Sequence, residues 1–328
     1  MKLLTKAVCR TFCLAPLVLL GMMDLASCGV FKWRLVTAEH QPHSLEFLSL
    51  FFTDPNYGWA ITPSQLLQTS DGGKTWSERL ADDNKTFYSL EFVSQTTGFI
   101  VGTQRKAEGR TALILKTEDS GRSWSETPLV LPASQFQLHD ISFCSPQVGW
   151  AVGADLIIHT TDAGQTWNTQ RSGKNEEMLF SIACVSPERA WVVGQNGLIL
   201  QTKDGGRSWS NQDSGTTDKL VRVRFFGNEG WIVGGSAEKA TLLRTADGGG
   251  SWERLQLDTS AALFDIYMNG QQGWLVGQTG TILETNDGGR TWQREKSPTD
   301  NDLVSVFFLD PDTGWIGGNK HTLLRLSN

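Results

Sequence analysis

The sequence has no basic run. Its 29 lysines and arginines are spread among 35 aspartates and glutamates, for a formal net charge of −6. That excludes the electrostatic footprint of a nucleic-acid binder, and mild acidity says little beyond solubility. There is no phosphate-cradling glycine loop and no Cys/His or Ser/His/Asp arrangement. His40 and His43 stand three apart in the proline-containing connector Glu39–His43, but no third ligand accompanies them. The connector therefore reads as a solvated loop, and neither a metal nor a cofactor is expected. The N-terminal apolar stretch, Phe12 to Met23, is too short to cross a bilayer. Tyrosine is scarce (3) and proline modest (10), whereas glycine (34) and tryptophan (13) are plentiful. That balance suits short strands joined by tight turns.

Residues 1–27 read as a secretory signal. Lys2, Lys6 and Arg10 form a basic start, the apolar stretch follows, and Leu25-Ala26-Ser27-Cys28 places small residues before a cysteine. This segment resembles the lipobox of bacterial lipoproteins, which implies cleavage and a lipid on Cys28. Residues 28–328 then form the mature chain. Cys9 and Cys13 leave with the signal, so only Cys144 and Cys184 remain for the folded part. Export permits a bridge between them. They fall in equivalent strands of neighbouring repeats but one position out of register, and strand alternation sends such residues to opposite faces. Two buried free thiols are expected.

A six-residue motif recurs six times: DGGKTW at 71–76, DSGRSW at 119–124, DAGQTW at 162–167, DGGRSW at 204–209, DGGGSW at 247–252 and DGGRTW at 287–292. A second, of the form GW-x-VG, recurs seven times around Trp59, Phe99, Trp150, Trp191, Trp231, Trp274 and Trp315. A period of 40 to 48 residues with strand-like segments marks a β-propeller with one blade per repeat. Each unit reads as four strands, the β-branched and aromatic residues falling in strands and Gly, Pro and Asp in turns. Seven GW units against six Asp boxes leave one outer strand missing. Phe31–Val36 looks like the strand that follows a box elsewhere, and is expected to complete the last blade beside residues 303–327. The prediction is an all-β protein: one seven-bladed propeller of four-stranded antiparallel blades, sealed by the N-terminal strand around Trp33.

Six carboxylates on one face suggest catalytic machinery, but a local role explains them better. An Asp opening a tight turn accepts hydrogen bonds from the backbone just beyond it, glycine permits positive φ, and the Ser or Thr before the Trp bonds across the turn. Both sets of tryptophans are expected in the core.

Asp boxes occur in sialidases, but those use an Arg-Ile-Pro element, an arginine triad and a Tyr/Glu pair. This chain has no Arg-Ile-Pro, and its tyrosines, Tyr57, Tyr88 and Tyr267, suggest no such pair. Xyloglucanase-type hydrolases use two such propellers, where this chain has length for one. Segments 194–209 and 277–292 carry the pattern GW-x-VG … T-x-DGG-x-TW and resemble the photosystem II stability and assembly factors of cyanobacteria and chloroplasts. The resemblance covers about residues 25–328. It implies a non-catalytic, membrane-anchored scaffold on the lumenal (thylakoid) or periplasmic surface. Its partner would be a membrane-protein segment, a photosystem II reaction-centre subunit by resemblance. The family's arginine patch leads into an Asn-Met-Gly-Phe stretch that this chain lacks. The nearest feature is Lys219–Arg224, where Arg222 stands at a position that other repeats give to Ser49, Ser89, Asp140, Ser181, Asp265 and Ser305.

Variation between repeats is where a specific site can live on a constant scaffold. The longest loop between second and third strands, 103–111, carries Arg105, Lys106 and Arg110. With Arg222 and Arg224 these are the candidate partner-binding residues, arginine forks suiting carboxylates of a partner. The competing reading pairs the inner-strand arginines with Asp140 or Asp265 near the axis. Two further functions stay open: a glycan-binding or glycosidase-type propeller, and an envelope lipoprotein of the same fold.

Overall fold

A computed structural model describes residues 32–36, 46–131, 137–172 and 177–326. The signal peptide, Cys28 and the Glu39–His43 connector lie outside the described residues. Among the described residues, 28 strands form seven four-stranded antiparallel sheets. In blades 1 to 6 the strands follow chain order from the axis outward. The inner strands are Ser49–Phe52, Lys85–Phe92, Asp140–Phe143, Leu179–Ser186, Leu220–Phe226 and Leu263–Asn269. Blade 7 begins at Leu303–Asp310 and takes its outermost strand, Trp33–Leu35, from the other end of the chain.

That closure follows the expected register. Trp33 pairs with Leu326 and Leu35 with Leu324. Trp33 is fully buried and stands edge-on to Phe308 at 5.8 Å. Box tryptophans make the same contact with their own inner strands: Trp124 on Phe92 at 6.0 Å, Trp167 on Phe143 at 6.0 Å. Lys32 bonds to Glu284 of blade 6 and tethers the closing strand to its neighbour. The closing strand thus completes the fourth position of blade 7, pairing with Leu323–Leu326, which would otherwise be the outer edge.

The core lies between blades. Seven apolar clusters occupy the seven blade interfaces, each drawing side chains from two adjacent sheets. The second strand of each blade is covered on both faces, which is why GW-x-VG reads as an unbroken apolar run. Its six tryptophans are at most 4% exposed, as expected of core. The box tryptophans are less covered: only Trp167 is buried, and the other five are half-buried at the rim.

The two motifs interlock. A Cβ on the third box residue would stand 2.4 Å from the Trp191 ring at Gly249 and 2.2 Å from the Trp231 ring at Gly289. Glycine there lets the box close over the GW tryptophan of the preceding blade. The second box position tolerates other residues, since Ser120 and Ala163 adopt positive φ there.

One expectation fails. Cys144 and Cys184 are joined by a disulfide, with a Cα–Cα distance of 5.1 Å, rather than standing as free thiols. Strict alternation governs neither residue. Cys144 lies beyond the last strand pair of its hairpin, Phe143 with Gly149, and the strand holding Cys184 shifts register between Cys184 and Ser186. The bond staples the inner strands of blades 3 and 4.

Candidate functional site

Two kinds of carboxylate must be separated, those of the boxes and those of the axis. In every box the Asp is consumed locally. At Asp204, Ser208 N–H donates to Oδ1 (2.9 Å), Ser208 Oγ donates to Oδ2 (2.6 Å) and Thr202 Oγ1 donates to Oδ1 (2.9 Å). Thr202 Oγ1 in turn accepts the Gly206 N–H at 2.8 Å. The same pattern holds at Asp71, Asp119, Asp162, Asp247 and Asp287. The Ser or Thr side-chain bond, then its backbone N–H, hold the Asp119, Asp162, Asp204 and Asp287 carboxyls down at about 2. The buried Thr two residues before each box is a partner that the turn chemistry alone did not single out. Its signal was present as the T-x-D spacing.

The inner strands contact one another in cyclic order around the axis. Ser49, Ser89, Asp140, Ser181, Arg222, Asp265 and Ser305 each pair with the same position of their second strands, so they form one level of the axis. Each inner strand is the free edge of its sheet and presents N–H groups with no ladder partner. Side chains of the preceding blade accept them: Asp140 takes Ile182 N–H (3.1 Å), Ser181 takes Val223 N–H (3.2 Å) and Asp265 takes Val306 N–H (3.1 Å). Arg222 has no acceptor to offer, and Asp265 instead takes the Ile266 N–H of its own strand at 3.0 Å.

Arg222 spans the axis, its Nη1 3.3 Å from Asp140 and its Nε 3.6 Å from Asp265. Ser89 and Ser181 donate to Asp140 at 2.8 and 2.7 Å. Of the two readings open from sequence, axial pairing describes Arg222. It lines two cavities, one of about 390 Å³ and one of about 240 Å³, and so stands between them.

The larger cavity lies toward the face of the Asp boxes. Box turns and the turns between first and second strands share that face, bonded to each other in six blades, as by Gly205 N–H to Glu188 O at 3.0 Å. Arg224 stands at this mouth. It donates to Asp265 through Nε (3.1 Å) and Nη2 (3.2 Å), yet its side chain is 43% exposed. At the same level sit Phe51, Glu91, Ser142, Tyr267 and Phe307. Burial pushes the Glu91 carboxyl up to about 8, against the Phe143 N–H that donates to its Oε1 (3.2 Å), with Asp140 adding to the rise and Arg224 opposing it. Sequence reasoning missed Glu91. Its only signal was an acid at an inner-strand position that neighbouring repeats fill with Phe51 or Ser142.

The five basic candidates do not form one patch. Arg105, Lys106 and Arg110 are exposed at the tip of the Gly98–Lys106/Gly109–Thr117 hairpin, on the opposite face. Arg105 lies directly across from Arg110, and Lys106 reaches Glu126 at 3.4 Å. Arg224 lies two residues past the axial level toward one face, and Arg105 four past it toward the other, about 20 Å apart along the strands.

Comparison with known proteins agrees with this architecture. A family model described as Photosynthesis system II assembly factor YCF48 matches residues 81–174, 170–263 and 251–327. The chain is 27% identical over 142 residues to the photosystem II assembly lipoprotein Ycf48 of Synechococcus sp. (strain CC9902), covering 41% of this chain and 39% of that one. It is 34% identical over 155 residues to the chloroplastic photosystem II stability/assembly factor HCF136 of Oryza sativa subsp. japonica, covering 44% and 32%. The matched segments thus span about a third of these relatives' lengths. The solved structure of YCF48 bound to D1 peptide superposes with a TM-score of 0.71 over 92% of this chain and 98% of that one, at 24% identity. Three successive matches run from the end of the first outer strand, at Ala81, through the third strand of blade 7, Leu323–Leu326, and the chain belongs to the photosystem II assembly factor YCF48 family.

Proposed function

We propose that this chain is a non-catalytic, membrane-anchored scaffold that holds a segment of a photosystem II reaction-centre subunit, such as D1, during assembly. The observation that carries the reading is Arg224. In a chain of this family, it is the arginine that remains open to solvent at the mouth of the axial cavity. A guanidinium with one edge held by Asp265 keeps its remaining N–H groups for a partner's carboxylate or carbonyl. The axial carboxylates weigh against a glycosidase, because Asp140 and Asp265 are engaged by arginines, hydroxyls and N–H groups instead of facing each other across a cleft.

Residues 1–27 serve as the signal peptide, residues 28–328 as the mature protein, and Cys28 as the lipidated residue. The protein then sits on the lumenal (thylakoid) or periplasmic membrane surface. An unmodified Cys28 in the mature protein extracted from native membranes, read by mass spectrometry of its N-terminal peptide, refutes the anchor. Affinity capture from the same membranes tests the function: recovery of photosystem II subunits supports it, and recovery of unrelated envelope proteins alone sinks it.

A further inference from the structure

A bulge recurs in every inner strand just before the axial level. In five blades the pairing skips one residue there: Tyr88, Phe180, Val221, Phe264 or Val304. Blades 1 and 3 do the same. Leu48 N–H and His139 N–H donate to the carbonyls of Ile61 and Val152, the residues that pair with Ser49 and Asp140. A bulge leaves its extra residue out of the ladder and re-aims the side chain. All seven residues are half-buried, and they lie one step from the axial level toward the face opposite the boxes. They form a largely apolar collar at that mouth of the axis.

The collar has two unlike arcs. On one, the His139 ring stands 5.3 Å from Tyr88 and 5.8 Å from Phe180, and the Lys219 ammonium lies 4.3 Å from the Phe180 ring. That arc is packed on itself, and it shows an ammonium seated on a collar ring. On the other, Val221, Phe264 and Val304 line the cavity of about 240 Å³. The cavity's polar walls there are Glu46, Asp302 and Asn319, and each offers an acceptor oxygen. Asn319 Oδ1 is buried and accepts no hydrogen bond. Asp302 accepts the Thr279 N–H at 2.9 Å on Oδ1, and neither it nor Glu46 joins an ion pair among the described residues. Arg222 lines the cavity as well, but its guanidinium is held by Asp140 at 3.3 Å and Asp265 at 3.6 Å. The two axial arginines are thus matched by two axial aspartates, and the wall carboxylates keep their charge unbalanced.

We infer that this pocket binds a small organic ammonium ion with an apolar body. The body packs against Val221, Phe264 and Val304, and the three N–H donors of a primary ammonium meet the acceptors of Glu46, Asp302 and Asn319. The site lies across Arg222 from the mouth around Arg224 and does not depend on what that mouth receives. An anion of the same shape would face two carboxylates, and a neutral alcohol would leave their charge unanswered.

The test is isothermal titration calorimetry of the purified protein at neutral pH with phenethylamine, phenethyl alcohol and hydrocinnamate. Phenethylamine should bind, and the alcohol and the carboxylate should bind about tenfold more weakly or not at all. Glu46→Gln/Asp302→Asn keeps an acceptor oxygen at each position and removes the charge. With an unchanged melting temperature, it should weaken phenethylamine about tenfold, to the level of the alcohol. The ligand series on the parent tests the charge preference without any substitution. No binding of phenethylamine, equal binding of hydrocinnamate, or undiminished binding by the double variant overturns the site.

Discussion

Arg222→Met removes the cation between two carboxylates that see almost no water, Asp140 at 7% and Asp265 at 0% side-chain exposure. Breaking a buried ion pair by deleting one partner costs about 3–5 kcal/mol when the other is left uncompensated. Neither carboxylate is left so here. Asp265 keeps Arg224 and two backbone N–H groups, and Asp140 keeps Ser89, Ser181 and the Ile182 N–H. The expected loss is therefore below the full figure, about 2–3 kcal/mol. At roughly 2–4 °C per kcal/mol for a chain of this size, Tm falls by about 5–10 °C. Thermal unfolding followed by tryptophan fluorescence reads this directly. Adding Asp140→Asn should restore part of the loss, because one of the two carboxylates that lost the cation becomes neutral. Arg224→Gln, at an exposed side chain, should cost much less. An Arg222→Met protein that melts with the parent would refute the view that this arginine is structural.

Three further outcomes follow from the same geometry. Thr202→Val leaves the Gly206 and Asp204 N–H groups without their acceptor and should lower stability by about 2 kcal/mol in urea unfolding. The Cys144–Cys184 bond closes a loop of 40 residues, so the Cys144→Ser/Cys184→Ser protein should lose on the order of 4 kcal/mol, and dithiothreitol should leave that protein's melting unchanged. Box carboxyls held near 2 lie below their unfolded value, so their contribution is present above about pH 4 and is lost as pH falls through about 2. The melting temperature should drop steeply as pH falls below about 4. Substituting Asp119, Asp162, Asp204 and Asp287 by Asn should flatten that drop.

The fold was legible because the repeat states it several times over. Seven GW units against six boxes required a borrowed strand, and Trp33 supplied it with the edge-on contact that box tryptophans make. The axial level was equally legible, since seven repeats align Arg222 with six serines and aspartates. What those arginines do was not. Arg222 and Arg224 look alike in sequence, yet a step of two residues places one between buried carboxylates and the other at a mouth. Nor does the sequence show that Arg105 and Arg224 belong to opposite faces, which depends on following strand direction through each hairpin. The disulfide was missed because alternation was carried past the end of a strand, into a turn where it does not apply.

Capture of a membrane-protein segment at the axial mouth is the function proposed for Arg224. Its most direct measurement compares the parent, Arg224→Gln, and the triple variant Arg105→Gln/Lys106→Gln/Arg110→Gln in affinity capture from native membranes, each verified as folded by circular dichroism. The parent and the triple variant should recover photosystem II reaction-centre subunits, and Arg224→Gln should recover several-fold less. Undiminished recovery by Arg224→Gln with loss in the triple variant would move the site to the far face and rule out the axial mouth.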